Sequence, residues 1–396
     1  MAPTSGPIWA TTGWGPASRQ RGQHTPKLSQ IKTGGTSAMP RELIAIAPRK
    51  LTWREYEEGP LGPNQVRIRS CFSAEKHGTT LPIYRGTSPV SQKAFDSELG
   101  IFITKDSGRG WSPSFPMSLG NMTVGVVTQV GSKVSRFKVG DRVYGHLPIR
   151  ETHTVSEDAI EVAPPDLRDE QLVCIDPAEV ALMAVREGQI RLGDTVAVFG
   201  LGAIGLIAVQ MAKLSGALIV IGIEPIERRR RLARKYGVDI LLDPKECDVG
   251  YEIRMKTGKK GVDVAIETSG SYQALHHSIR GTRYGGRVVP VAFYCGEAKE
   301  LRLGEEFHFL RQTMISGARV ESEPYRDYPL WDRKRVYETV IELLRKGKIE
   351  VDGLLCPIVN FEDALSAYKL VDERPEEAIK LGVKYPYRQV AEEIGD

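Results

Sequence analysis

Residues 196–205 read Val196-Ala-Val-Phe-Gly-Leu-Gly-Ala-Ile-Gly205, an apolar strand running straight into a glycine-rich turn. Leu206-Ile-Ala-Val-Gln-Met-Ala-Lys-Leu214 continues it as a helix. Gly200, Gly202 and Gly205 form the G-x-G-x-x-G of a dinucleotide fold. Gly200 permits the tight turn, Gly202 lets the backbone approach a pyrophosphate, and Gly205 lets helix and strand pack closely. Ala203 and Ile204 open the helix, whose unpaired N–H groups and partial positive charge face the phosphates. The next strand, Ala217-Leu-Ile-Val-Ile-Gly-Ile223, ends at Glu224, 24 positions past Gly200. That is near the spacing of about 20 for a carboxylate that binds the ribose hydroxyls. Such an acid repels a 2′-phosphate, so the cofactor is expected to be NAD rather than NADP. Arg228–Arg231 would tolerate a 2′-phosphate, and Glu224 would also serve as a plain helix cap before Pro225. Its place at the strand end keeps the NAD reading.

The 396 residues, 41% hydrophobic, suffice for two domains with substantial cores. A net charge of +4 with 26% charged residues gives no reason to expect nucleic acid as a partner. The five cysteines (71, 174, 247, 295 and 356) form no C-x-x-C pair, which argues against a disulfide framework and against a four-thiolate zinc site. No apolar run approaches the ~20 residues of a membrane span. A cytoplasmic protein with no membrane partner is the expectation. Residues 1–38 are rich in Gly, Ser, Thr and Pro, contain no Asp or Glu, and carry Arg19, Arg21, Lys27 and Lys32. An organelle transit peptide shares that composition. Pro and Gly interrupt any amphipathic helix, so a flexible extension or an upstream start before Met39 is the preferred reading.

From Arg41 to about Pro177, short β-type runs alternate with Gly and Pro turns, among them Gln65–Arg69, Val124–Val130, Asp141–Tyr144 and Thr152–Val155. From Val180 the pattern becomes strand–helix alternation. Further strands are expected at Val262–Ile266 and Gly286–Phe293, and helices at about 226–236 and 271–281. Alternation of this kind predicts a parallel, doubly wound sheet, an α/β fold. After Gly317 the chain is expected to return to the first domain through helices around 333–346 and 361–371. The division is therefore 1–38 extension, 39–178 first part of the β-rich domain, 179–318 dinucleotide domain and 319–396 return. The cleft between the domains should hold the chemistry.

From about 40 to 390 the chain resembles the medium-chain alcohol and polyol dehydrogenase family. The residues that carry this are Val66–Arg69, Ile83-Tyr-Arg-Gly86, Gly125–Gly131, Val139-Gly-Asp-Arg-Val-Tyr-Gly145, Gly200–Gly205, Glu267-Thr-Ser-Gly270 and Gly285-Gly-Arg-Val288. The resemblance implies a GroES-like catalytic domain beside a Rossmann domain, and hydride transfer between a nicotinamide cofactor and an alcohol or carbonyl. Many members hold a catalytic zinc with Cys, with His of a Gly-His-Glu motif, and with Cys or Glu just before the dinucleotide domain. The corresponding positions here are His77, Asn121 (with Met122 in place of the acid) and Asp176. The amide of Asn is a poor zinc ligand, and the four-cysteine structural zinc lobe has no counterpart. The expectation is a member without zinc. The alternatives are a divalent metal retained at His77 and Asp176, and a non-catalytic nucleotide-binding protein.

Without zinc, His77 is the candidate acid/base, because an unperturbed imidazole titrates near neutral pH. Asp176 would hold its tautomer, Thr79 matches the family's proton-relaying hydroxyl, and Asn121 would donate to the substrate oxygen. Glu75 and Lys76 read as solvated charges, His276-His277 as surface or packing residues, and Arg333-Lys-Arg335 as a solvated helix face. On the cofactor side the resemblance places Arg229 near the adenosine ribose, Thr268 and Gly270 where the dinucleotide crosses, and Val291 and Phe293 beside the nicotinamide. The substrate is expected to be a small polar molecule such as a sugar, cyclitol or polyol. A homodimer or homotetramer is expected, since relatives pair through the edge of the dinucleotide sheet.

Overall fold

Strand Gln65–Ala74 organises the first half of the molecule. Its alternation turns Val66 and Ile68 inward, fully buried, and leaves Arg67 and Arg69 on the other face. In the computed structural model, which describes residues 39–105, 110–317 and 331–386, this strand pairs antiparallel with Met122–Val130, Thr152–Ser156 and Lys380–Lys384. The sheet runs Glu161–Val162, Arg142–Gly145, Met122–Val130, Gln65–Ala74, Lys380–Lys384, Leu355–Asn360, with Thr152–Ser156 added to strand 65–74. Strand 380–384 therefore brings the end of the chain against the residues that follow Ala74. The expected extension at 1–38 lies outside the described residues.

The second sheet has six strands, all parallel: Ile240–Leu242, Ile219–Ile223, Thr195–Phe199, Val262–Glu267, Thr282–Pro290 and Thr313–Met314. Numbered along the chain this is the order 3-2-1-4-5-6 of a Rossmann sheet, with the switch point at Thr195–Phe199. Val196, Ala197 and Val198 have no exposed surface, as a parallel strand covered by helices on both faces requires. The fold is α/β, a doubly wound parallel sheet with a β-rich domain.

Two features differ from the sequence reading. Strand 282–290 ends at Pro290, so Val291 and Phe293 lie beyond it rather than at its end. The switch between the two patterns, expected at 178/179, falls inside one continuous helix, Ile175–Gly188. All but one of its residues are buried, and it packs along the fingerprint helix Ala203–Leu214. One apolar core therefore runs from Phe72, Met122 and Tyr144 of the β-rich domain to Val196 and Val220 of the dinucleotide sheet. Asp176 and Glu179, in the first turns of this shared helix, are set between the domains. Among the described residues no helix is long and apolar enough to cross a membrane.

Candidate active site

The glycine turn has the geometry that its sequence predicts. Gly200 sits at φ +82°, a conformation in which a side chain would be strained. A Cβ on Gly205 would stand 1.9 Å from the Gly200 carbonyl oxygen, whereas one on Gly202 would meet nothing within 4 Å. Thr268 donates its hydroxyl to the carbonyls of Gly200 (2.7 Å) and Phe199 (3.1 Å), tying the third turn of the site to the first. Glu224 is buried at the end of strand 219–223; its carboxylate accepts the N–H of Leu201 at 2.7 Å and of Ile226 at 3.1 Å. Arg229 lies 3.7 Å from that carboxylate and donates to the carbonyls of Pro375 and Ala378, both at 2.9 Å. It thus links the end of strand 219–223 to the returning C-terminal segment. Ala203 and Ile204 form the first turn of the helix above Gly202.

Glu267, quoted only as part of a motif, has a structural task. It is fully buried and its carboxylate accepts from Ser269, from the N–H of Gly270 (3.2 Å) and from the Tyr294 hydroxyl. Burial pushes its pKa up, and the network braces the 268–270 turn that lies against Gly200. Val291 is core, its N–H donated to the Glu267 carbonyl at 2.8 Å, while Phe293 is partly exposed in the loop beyond.

Across from this cradle, the expected pairing of His77 with Asp176 is not made. His77 opens the helix His77–Tyr84, its Nδ1–H donates to the Ile379 carbonyl (3.1 Å), and its Nε2 accepts the N–H of Leu381 (3.3 Å). Both ring nitrogens are therefore spent on backbone. Desolvation of the ring, then the nearby Lys380 ammonium, push its pKa down to about 3. His77 is a neutral pin for the returning strand, which corrects its assignment as the acid/base. Asp176 pairs instead with Lys76, Nζ to Oδ1 at 2.7 Å. Despite burial, Lys76, His146 and Lys380 hold its carboxyl well below the usual range.

Lys76 and Glu75, expected to be solvated, are both part of this cluster. Glu75 is fully buried; burial pushes its carboxyl pKa up, opposed by Thr80, Lys380 and the backbone of Lys76 and Gly120, and the buried Lys380 donates Nζ to its backbone carbonyl at 2.5 Å. Asn121 is placed by its N–H on the Ala74 carbonyl (2.9 Å); its side-chain Nδ2 is buried without a partner. Thr79 is in the first turn after Lys76. Two residues of the cluster were not singled out by sequence. His146 follows the Val139–Gly145 motif directly; its Nε2 is buried and unpartnered, and desolvation pushes its pKa down to about 4. Glu179, one turn after Asp176, has its Oε1 unpartnered and is pushed up to about 8 by burial and then by Asp176. Arg333 offsets that shift, so it faces the cluster electrostatically rather than being only a solvated charge.

The neutral histidines have a consequence for acid stability. An unfolded chain binds protons on His77, His146 and His153 from about pH 6.5 downward, whereas the folded chain resists until about 3 to 4. Stability therefore falls as pH drops through that window. Urea midpoints measured from pH 7 to about 5 should show a shallower slope for His77→Gln than for the parent chain. Equal slopes would refute the buried neutral state of His77.

Elsewhere a cavity of about 590 Å³ is lined by residues including His276, His277, Arg280, Glu305 and Glu306. It shares no residue with the Lys76 cluster. His276 and His277 pack there beside Glu305 and Asp248, which Arg302 and Arg280 also engage.

Comparison with known proteins agrees with the geometry. A family model described as zinc-binding dehydrogenase matches residues 203–335, and one described as the alcohol dehydrogenase GroES-like domain matches 96–163. The chain is 42% identical over 351 residues to a D-guloside 3-dehydrogenase of Escherichia coli, covering 87% of this chain and all of that protein. The chain belongs to the medium-chain alcohol and polyol dehydrogenase family. It is accordingly an oxidoreductase acting on alcohol groups. A sorbitol dehydrogenase of Bacillus subtilis is 28% identical over 306 residues, 69% of this chain and 82% of that one. The crystal structure of 2R,3R-butanediol dehydrogenase from Bacillus subtilis superposes with a TM-score of 0.69 at 25% identity, over 88% of this chain and all of that one.

Proposed function

We propose that this dehydrogenase oxidises a secondary ring hydroxyl of a sugar or glycoside, or reduces the matching ketone, with NAD as cofactor and no zinc at the site. The observation that carries the substrate class is the likeness to a D-guloside 3-dehydrogenase along that protein's full length. The uniformly polar cluster of Lys76, Asn121, His146, Asp176 and Glu179 supports it, because each hydroxyl of a sugar ring needs a partner once out of water.

The residues present fit a dinucleotide. The Gly200–Gly205 turn and the first N–H groups of helix 203–214 would hold its pyrophosphate, and Glu224 its ribose hydroxyls. A bound nicotinamide supplies the hydride acceptor. Glu267 and Tyr294 keep the 268–270 turn in place against Gly200. Glu224 also underlies the preference for NAD, since a 2′-phosphate would meet a buried carboxylate. Such like-charge contacts cost several kcal/mol, so Glu224→Gln is expected to shift the NAD/NADP ratio of kcat/KM about a hundredfold toward NADP. An unchanged ratio would refute that role.

The same residues do not fit zinc. Both nitrogens of His77 are bonded to backbone, the Asp176 carboxylate is taken by Lys76, and the remaining positions offer an amide and a thioether. An ammonium already on the Asp176 carboxylate also opposes a second cation there. Metal analysis of protein purified without chelator is expected to give substoichiometric zinc. Spectrophotometric NAD reduction over methyl D-glycosides, a D-guloside among them, tests the substrate class; strong turnover of hydrophobic alcohols with none of sugars would refute it.

A further inference from the structure

We propose that the Lys76 ammonium is the cation that polarises the reacting oxygen of the substrate. This role rests on the metal-free reading of the site above. An alcohol losing hydride passes through alkoxide character, and a fixed positive charge beside that oxygen in a poorly solvated site stabilises it without reorganisation. Lys76 has the geometry for this. It stands between strand 65–74 and helix 77–84, facing the helix that spans both domains, and Asp176 holds its Nζ at 2.7 Å. An ammonium has three donors, and that bond uses one. The Lys76 side chain keeps 33% of its surface exposed against 7% for Asp176, so Lys76 is the partner of this pair that a ligand can reach. Lys380, the other nearby cation, is buried, only 3% exposed, and donates to the Glu75 carbonyl, so an incoming ligand does not reach it. Asn121 adds the unpartnered Nδ2 donor at the level of Ala74, next to the same turn.

In the oxidation, the hydroxyl proton leaves to solvent water and the C–H electron pair leaves as hydride to the oxidised nicotinamide. The C=O bond forms, and Lys76 keeps all its protons throughout. Reduction of the ketone is the reverse, with the ammonium donating a hydrogen bond to the carbonyl oxygen.

The test is the holoenzyme with Lys76→Ala, and with Lys76→Ala/Asp176→Asn, which removes both charges together so that no lone buried carboxylate perturbs folding. On the best substrate of an alcohol, polyol and methyl glycoside panel, kcat/KM is expected to fall about 10²–10³-fold, as for loss of one oxyanion donor. Dinucleotide affinity should hold, the primary deuterium isotope effect on kcat should rise, and added ethylammonium should restore rate in a saturable way. Unchanged kcat/KM in either variant overturns the proposal. So does a loss that ethylammonium does not rescue and that leaves the isotope effect unmoved, which would assign Lys76 to the fold. Stoichiometric zinc whose removal stops turnover would overturn the metal-free reading itself, and this role with it.

Discussion

Gly205→Ala is expected to weaken dinucleotide binding about a hundredfold, the equivalent of one or two charge-assisted hydrogen bonds. The added methyl would lie 1.9 Å from the Gly200 carbonyl oxygen and 3.0 Å from the Thr268 hydroxyl. Neither is a flexible side-chain end, since the first is backbone and the second is fixed by two hydrogen bonds. The helix must lift off the strand, and the N–H groups at its start leave the position where phosphate binds. Overpacking of this kind also costs about 1–3 kcal/mol of stability. Gly202→Ala gives the contrasting case. With nothing within 4 Å of its Cβ, it should leave the melting temperature alone and weaken only the bound state, where the backbone must approach the pyrophosphate. Fluorescence titration with NADH and thermal melts on both variants decide this. Wild-type affinity in the Gly205 variant would show that the cradle is not where the cofactor binds.

Asp176→Ala should lower kcat/KM by about a hundredfold and cost about 1–3 kcal/mol of stability near neutral pH. A fully buried pair broken on one side costs about 3–5 kcal/mol, and the partial exposure of Lys76 lets water recover some of that. The sign of the pH dependence is fixed. The folded-state pKa of Asp176 is depressed, so its contribution is fully present above the ordinary carboxylate value of 3.8 and is lost as pH falls below it. The stability gap between variant and parent should therefore narrow below about pH 4 in denaturant titrations. A gap that widened there would contradict the ion pair. Asp176→Asn should retain the packing and still lose most of the rate, because an amide holds an ammonium less firmly than a carboxylate does.

Much of the cofactor side was legible in the chain. Gly200, Gly202 and Gly205 report backbone constraints, and a backbone constraint is local: the turn, the strand before it and the helix after it are all within about 20 residues. The position of Glu224 followed from the same reasoning, as the end of the very next strand. Strand ends were less legible. Val291 and Phe293 were placed at the tip of a strand, expected over Gly286–Phe293, that stops at Pro290, because the apolar run continues past the last ladder pair.

The polar side was misjudged at the level of single atoms. His77 was given the proton chemistry because it stands where relatives carry a metal ligand. Whether an imidazole titrates depends on what meets its two nitrogens, and those partners, Ile379 and Leu381, are about 300 positions away in the chain. Lys76, beside it, reads as a solvated charge in sequence; its partner Asp176 is 100 positions on. His146 and Glu179 carried no spacing signal at all.

The sequence by itself determined the family, the glycine turn and the parallel strand–helix alternation, because glycine conformation and hydrophobic period are written in neighbouring residues. Only the tertiary structure decided which charged groups pair. Strand 380–384, returning beside strand 65–74, consumes His77, and the helix shared by both domains delivers Asp176 to Lys76. Electrostatics at a site depends on distances between residues remote in the chain, and folding alone sets those distances.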